Sequence, residues 1–131
     1  MKIIRARQLQ GSNIHPVCRV CVINSIKQTK IQKATNHPYF NEIFFFNFHL
    51  SESELCDEMI SFEICNSRTF RSDMKIGTFK IDLADVYSQV KHSINRKWLL
   101  LINEDDRMSG GKGYLKVSIN ILGPGDEPPV S

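Results

Sequence analysis

From Tyr114 to Ile121 the chain places Leu115, Val117, Ile119 and Ile121 on every second residue, with Lys116, Ser118 and Asn120 between them. A strand points successive side chains to opposite faces, so this period of two buries one face and wets the other. The pattern recurs along the chain at intervals of roughly ten to twenty residues, separated by turn signals. It predicts strands at Lys2–Arg7, Cys18–Ile23, Ile26–Gln32, Ile43–His49, Met59–Cys65, Ile76–Asp82, Lys97–Ile102 and Tyr114–Ile121. Phe44, Phe46 and Phe48 form one further apolar row, and Phe62 with Ile64 another. Two-faced strands in this number are expected to close as an all-β, eight-stranded antiparallel β-sandwich. One short helix is expected around Leu83–Ser88, between strands six and seven.

The 131 residues are enough for one domain with its own core, expected over 1–122. After Leu122 the composition turns to Gly-Pro-Gly-Asp-Glu-Pro-Pro, which resists helix and sheet alike, so 123–131 is expected to be a linker tail. Met1 leads almost directly into a strand, the mark of an excised segment. No apolar run approaches the roughly 18 residues of a membrane-spanning helix, and no signal peptide is visible. Any anchor is expected outside this segment. The formal charge of +3 permits attraction to acidic surfaces, but without a basic stripe or reader motif it does not point to nucleic acid.

Cys18-Arg-Val-Cys21 has the spacing of a zinc half-site or a redox motif, yet it falls inside an alternating strand, where residues three apart face opposite ways. Cys56 and Cys65 supply no second pair. Four free thiols in a reducing, cytosolic setting are expected. The four histidines are scattered without metal-ligand spacing, and there is no nucleophile elbow, phosphate loop or dinucleotide fingerprint. Phe45, Asn47 and His49 are expected to fill a groove rather than stack on bases, and Glu104-Asp105-Asp106 to solvate a loop. These features predict a binding module without cofactor, not an enzyme.

Several stretches carry a family resemblance. They are Ala6-Arg7-Gln8-Leu9 opening a loop, His37-Pro38-Tyr39-Phe40-Asn41-Glu42 before a Phe-rich strand, and Ile76-Gly77. This set resembles a C2 domain. Asp57-Glu58-Met59-Ile60, Arg96-Lys97-Trp98-Leu99-Leu100-Leu101, and Lys112-Gly113-Tyr114-Leu115-Lys116 through Pro128 are more specific. They resemble the second C2 domain of a ferlin of the dysferlin and myoferlin type. The resemblance implies a C2 sandwich of type II strand order. It also implies a place on the cytosolic face of the plasma membrane or of vesicles, in vesicle fusion, membrane repair or myoblast fusion.

Calcium-binding C2 domains hold the ion with aspartates on two loops at one end. Here His15 stands where an Asp-Pro pair would begin, Asn66 and Arg68 take two aspartate positions, and Asp73 alone remains. Calcium takes about six to eight oxygen ligands, and an arginine repels it. The loops therefore predict calcium independence, with Asp73 capping its own loop by hydrogen bonds to the turn. Phe70 between Arg68 and Arg71 is expected either to enter a headgroup region, the arginines on lipid phosphates, or to fold back on the sandwich edge.

A turn at Asn24-Ser25 would pair Ile23 with Ile26, Cys21 with Gln28 and Arg19 with Lys30. Cys18, Val20, Val22, Thr29 and Ile31 then face the core, and Arg19, Gln28, Lys30 and Gln32 share the other face. Two cations across a ladder repel unless an anion covers them, and related C2 domains use basic residues on this face for phosphoinositides. Lys27 and Lys33 widen the patch. The competing reading is an ordinary solvated face. The expected partner is an anionic phospholipid or phosphoinositide membrane, for a domain that is monomeric in isolation. The rival expectation is a protein-interaction or scaffold domain that binds other ferlin C2 domains or an endocytic-recycling protein. Its carrier is Asn36-His37-Pro38-Tyr39-Phe40, where related ferlins hold an Asn-Pro-Phe turn that is broken here.

Overall fold

The computed structural model describes residues 1–68, 71–123 and 126. The expected Phe70 contact and most of the expected tail lie outside the described residues. Eight strands form: β1 Lys2–Arg7, β2 Pro16–Val22, β3 Ser25–Gln28, β4 Tyr39–Ile43, β5 Met59–Asn66, β6 Met74–Asp82, β7 Ser93–Ile102 and β8 Gly111–Asn120. Every pairing is antiparallel, in the order β3-β2-β5-β6-β7-β8-β1-β4. The β6–β7 junction holds by one register pair, Thr78 with Ile102. There the sheet turns back on itself, and its two halves become the layers of a sandwich. Gly77 lies at this junction, where an added Cβ would come within 2.8 Å of the Leu101 Cβ.

Both layers feed one core. Phe62, Ile60 and Ile64 of β5 and Val20 of β2 meet Ile3 of β1, Leu101 of β7 and Leu115, Val117 and Ile119 of β8. Of these, Val20, Phe62, Ile64, Leu115, Val117 and Ile119 are the positions that alternation marked in the sequence. The helix between β6 and β7, α2, spans Leu83–Tyr87 and buries Leu83 and Val86. A four-residue helix, α1 Glu52–Leu55, precedes it and was missed. Its signal was present as Ser51-x-x-Glu54, a capping box with both reciprocal bonds formed.

Three expectations are corrected. Strand four is Tyr39–Ile43 rather than Ile43–His49. Phe44, Phe46, Phe48 and Leu50 do turn toward the core in alternation, and Phe44 exchanges two 2.8 Å bonds with Met1, but beyond it the run pairs with no strand among the described residues. Without a neighbour to pair with, alternation alone makes no ladder. The β2–β3 turn is Ile23-Asn24, not Asn24-Ser25, so Arg19 stands opposite Gln28 and Cys21 opposite Ile26. Packing decided this: Ile23 turns at φ 57° and packs against the core, and Thr29 closes onto Cys18. The slip is by two residues, so each side chain keeps its face. Ile31, expected in the core, is 45% exposed, because β3 ends at Gln28 and the chain leaves the ladder.

Candidate functional site

At the end of the sandwich that carries His15, Asn66, Arg68 and Asp73, the described side chains bond to neighbouring protein groups. Asn66 Oδ1 accepts the His15 amide at 2.8 Å, and the Ser67 amide donates to the His15 carbonyl at 2.9 Å. His15 Nδ1 accepts from the Ala34 amide at 2.9 Å, which leaves the ring proton of a neutral imidazole on Nε2. The Arg68 guanidinium folds back on the Ser72 carbonyl through Nε at 3.0 Å and Nη2 at 2.7 Å. Among the described residues Asp73 makes no capping hydrogen bond to its own loop. Its carboxylate is ion-paired with Arg19 from β2, because the strand aims that side chain at the loop. Among the described residues no group of three or more His, Cys, Asp or Glu is placed to hold a metal ion.

Arg19 also reaches Glu63 at 3.8 Å, Gln28 at 3.3 Å and the Cys65 sulfur at 3.4 Å, while Lys75 lies 3.5 Å from Glu63. Two cations thus face two carboxylates, and the face is locally neutral. Burial pushes the Cys65 thiol up to about 12, and its 3.0 Å hydrogen bond to Glu63 adds to this. The expected Arg19–Lys30 pair is not brought together. Lys30 is exposed past the end of β3, where its backbone amide donates to Glu42. The Lys27 ammonium donates to the Phe45 carbonyl and lies 5.0 Å from the Phe46 ring centre. Lys33 and Arg71 are exposed.

The sequence reading missed a second cationic face. Arg5 and Arg7 of β1, Lys116 of β8 and Trp98 of β7 share the outward side of the other layer. Their strands are far apart in sequence, and only the ladder order makes them neighbours. One signal was available, since β1, β7 and β8 contain no Asp or Glu at all.

With eight antiparallel strands, this order and the two-loop end in place, comparison with known proteins becomes decisive. The C2 domain family model matches residues 1–101. The FerI (NUC094) domain model matches residues 102–131. Myoferlin of Mus musculus and myoferlin of Homo sapiens are each 47% identical over 129 residues, which is 98% of this chain. The chain belongs to the C2 family, in its ferlin branch. It spans 6% of the length of those two relatives. A structure of the paired C2 domains of Extended-Synaptotagmin 2 with calcium bound superposes with a TM-score of 0.72 at 21% identity. That match covers 91% of this ferlin C2 chain and 39% of the other, and it shows the fold. In this ferlin C2 domain the FerI match takes in β8, which lies between β7 and β1 inside the sheet. No helix among the described residues is long and apolar enough to cross a membrane.

Proposed function

We propose that this ferlin C2 domain is a calcium-independent module that docks weakly on anionic membrane at a cytosolic face, as part of a membrane-trafficking protein. The observation that carries the reading is the Arg19–Asp73 ion pair. The one carboxylate kept on the degenerate loop is already neutralised by a guanidinium, so a calcium ion would have to displace an arginine to reach a single ligand. Binding then rests on surface cations, each contributing on the order of 1 kcal/mol near an acidic leaflet. Docking of that strength is reversible, and further domains on the same chain would add avidity. The sandwich is proposed to close at residue 122, with β8 as its last strand.

Co-sedimentation tests this. Vesicles of phosphatidylcholine, with and without phosphatidylserine and phosphoinositide, are spun with the domain in calcium and then in chelator. Equal, salt-sensitive binding to the acidic vesicles in both buffers is expected. Binding that requires calcium would sink the reading.

A second reading, as a scaffold domain for another chain or a neighbouring domain, is favoured by one feature. Beyond Ile43 the extended run that includes Phe45 and Asn47 pairs with no strand among the described residues, and it borders a cleft of about 380 Å³ lined by Phe44, Phe46, Phe48 and Ile121 together with Asn47 and His49. The Asn36-His37-Pro38 turn gives this reading less support. Asn36 Nδ2 is spent on the Leu9 and Gly11 carbonyls at 2.7 and 2.8 Å, and Pro38 is buried.

A further inference from the structure

The outward face of β7-β8-β1-β4 concentrates positive charge without compensation. The ladder sets Trp98 opposite Lys116, Lys116 opposite Arg5, and Arg5 opposite Tyr39, in one row across four strands. The next row runs Leu100, Tyr114, Arg7. The Arg7 guanidinium lies 4.1 Å from the Trp98 ring centre, Arg5 5.3 Å and the Lys116 ammonium 5.5 Å. Three cations therefore converge on one ring, with Arg5 and Lys116 directly across a ladder, the arrangement that repels unless an anion lies over it. Ring faces attract cations but accept none of their hydrogen bonds in full.

The donors are left over. Arg5 Nη1 donates to the Tyr39 hydroxyl at 2.7 Å, but Arg5 Nε and Arg7 Nε are both shielded from solvent and have no acceptor among the described residues. None of the four ion pairs among the described residues involves this face. The only carboxylate on the four strands, Glu42, is committed to the Lys30 amide. The Lys116 ammonium is held below its ordinary value, first by partial desolvation and then by Arg96, Arg5 and Arg7. A buried donor without a partner is costly, and it marks a place where a ligand completes the set.

We propose that Arg5, Arg7 and Lys116, arrayed over Trp98, form a binding site for the phosphorylated headgroup of a phosphoinositide in the membrane. The planar guanidinium fork matches phosphate oxygens bidentately, and clustered cations suit a headgroup with several phosphate charges better than a single phosphodiester. The surroundings favour a lipid source. Tyr39 (59% exposed), Leu100 (45%) and Ile43 (50%) flank the cations with apolar surface fit for the headgroup boundary. The proposal rests on the membrane-docking reading but moves the contact from the neutralised Arg19 face to the opposite layer.

Trp98 is the only tryptophan in the chain, so its fluorescence reports on this site alone. The domain in chelator is titrated with vesicles of phosphatidylcholine, of phosphatidylcholine with phosphatidylserine, and of phosphatidylcholine with a bisphosphorylated phosphatidylinositol. Inositol hexakisphosphate serves as the soluble phosphate. A saturable Trp98 change, strongest with the phosphoinositide vesicles, is expected. Arg5→Gln/Lys116→Gln is expected to weaken partition about thirty-fold, while Lys30→Gln/Lys33→Gln leaves it near the parent value. Circular dichroism checks the fold. If the double variant unfolds, Lys116→Glu alone and raised salt on the parent protein carry the test. Unchanged binding by the patch variants, with the parent still on acidic vesicles, overturns the site and leaves the docking reading standing. No vesicle binding by the parent, with no Trp98 response to inositol hexakisphosphate, overturns both. A Trp98 response to inositol hexakisphosphate without vesicle binding overturns the lipid source.

Discussion

Gly113 gives the sharpest test of how closely β8 approaches the exit of β1. It lies in β8 at φ 137°, and a Cβ there would meet Leu9 Cδ2 at 2.8 Å, the Gln8 carbonyl oxygen at 3.1 Å and Leu9 Cα at 3.1 Å. The Leu9 methyl is a side-chain tip that can shift, but the other two atoms are backbone where the chain leaves β1, and they must give by a few tenths of an ångström. Gly113→Ala therefore adds a backbone strain of about 1–3 kcal/mol to an overpacking cost of about 1–3 kcal/mol. The sum, near 4 kcal/mol, is a large part of the roughly 5–15 kcal/mol that holds a domain folded. Gly110 supplies the control. Its φ is 85°, but nothing lies within 4 Å of an added Cβ, so Gly110→Ala carries the strain alone. The two variants should differ by about 2 kcal/mol, or about 8 °C in Tm for a chain of this length. Urea and thermal denaturation measure this, with an unchanged urea slope as the check on two-state unfolding. Equal losses in the two variants would refute the close approach of β8 to the β1 exit.

Phe62, fully buried in the middle of β5, should cost about 3–5 kcal/mol as Phe62→Ala, read by urea midpoint; a loss under about 1 kcal/mol would place the core elsewhere. A double-mutant cycle of Arg19→Gln and Asp73→Asn should give a coupling of about 1 kcal/mol, the value of a charge-assisted pair discounted because the Arg19 side chain is 33% exposed. No coupling would remove the argument for a closed calcium loop. In the native protein an alkylating reagent at mildly alkaline pH should modify exposed Cys56 and spare buried Cys18 and Cys65, whose thiols burial holds protonated. Because the Cys65 value is raised from 9.0 in the unfolded chain to about 12, its share of stability is complete below pH 9 and is lost as pH rises toward 12. A urea midpoint flat across that range would contradict this. Ending the chain at residue 110 removes β8 from between β7 and β1 and should abolish cooperative unfolding, even though the C2 family match ends at residue 101.

Much of the fold was legible because period-two burial is a local property. Leu115, Val117 and Ile119 had to share a face whatever their neighbours were. Two of the corrections came where a neighbour decided. Phe44, Phe46 and Phe48 read as a strand and face the core, yet past Ile43 the run forms no ladder with any strand among the described residues. The β2–β3 turn moved by one residue because Thr29 and Ile23 gained more from the core than Asn24-Ser25 gained from turn propensity. The capping box at Ser51 and Glu54 was readable and went unread.

The sequence by itself determined the all-β class, the faces of the strands and the scarcity of carboxylates around His15, Asn66 and Arg68, since each depends on residue type and spacing along one segment. Only the tertiary structure decided where the charges ended up. Arg19 read as a free cation, but β5 and the loop before β6 bring Glu63 and Asp73 to it. Arg5, Arg7, Trp98 and Lys116 lie far apart in the sequence, and the order β7-β8-β1 gathers them into one acid-free cluster. Electrostatic energy depends on distance in space, and strand order, which no single segment encodes, sets that distance.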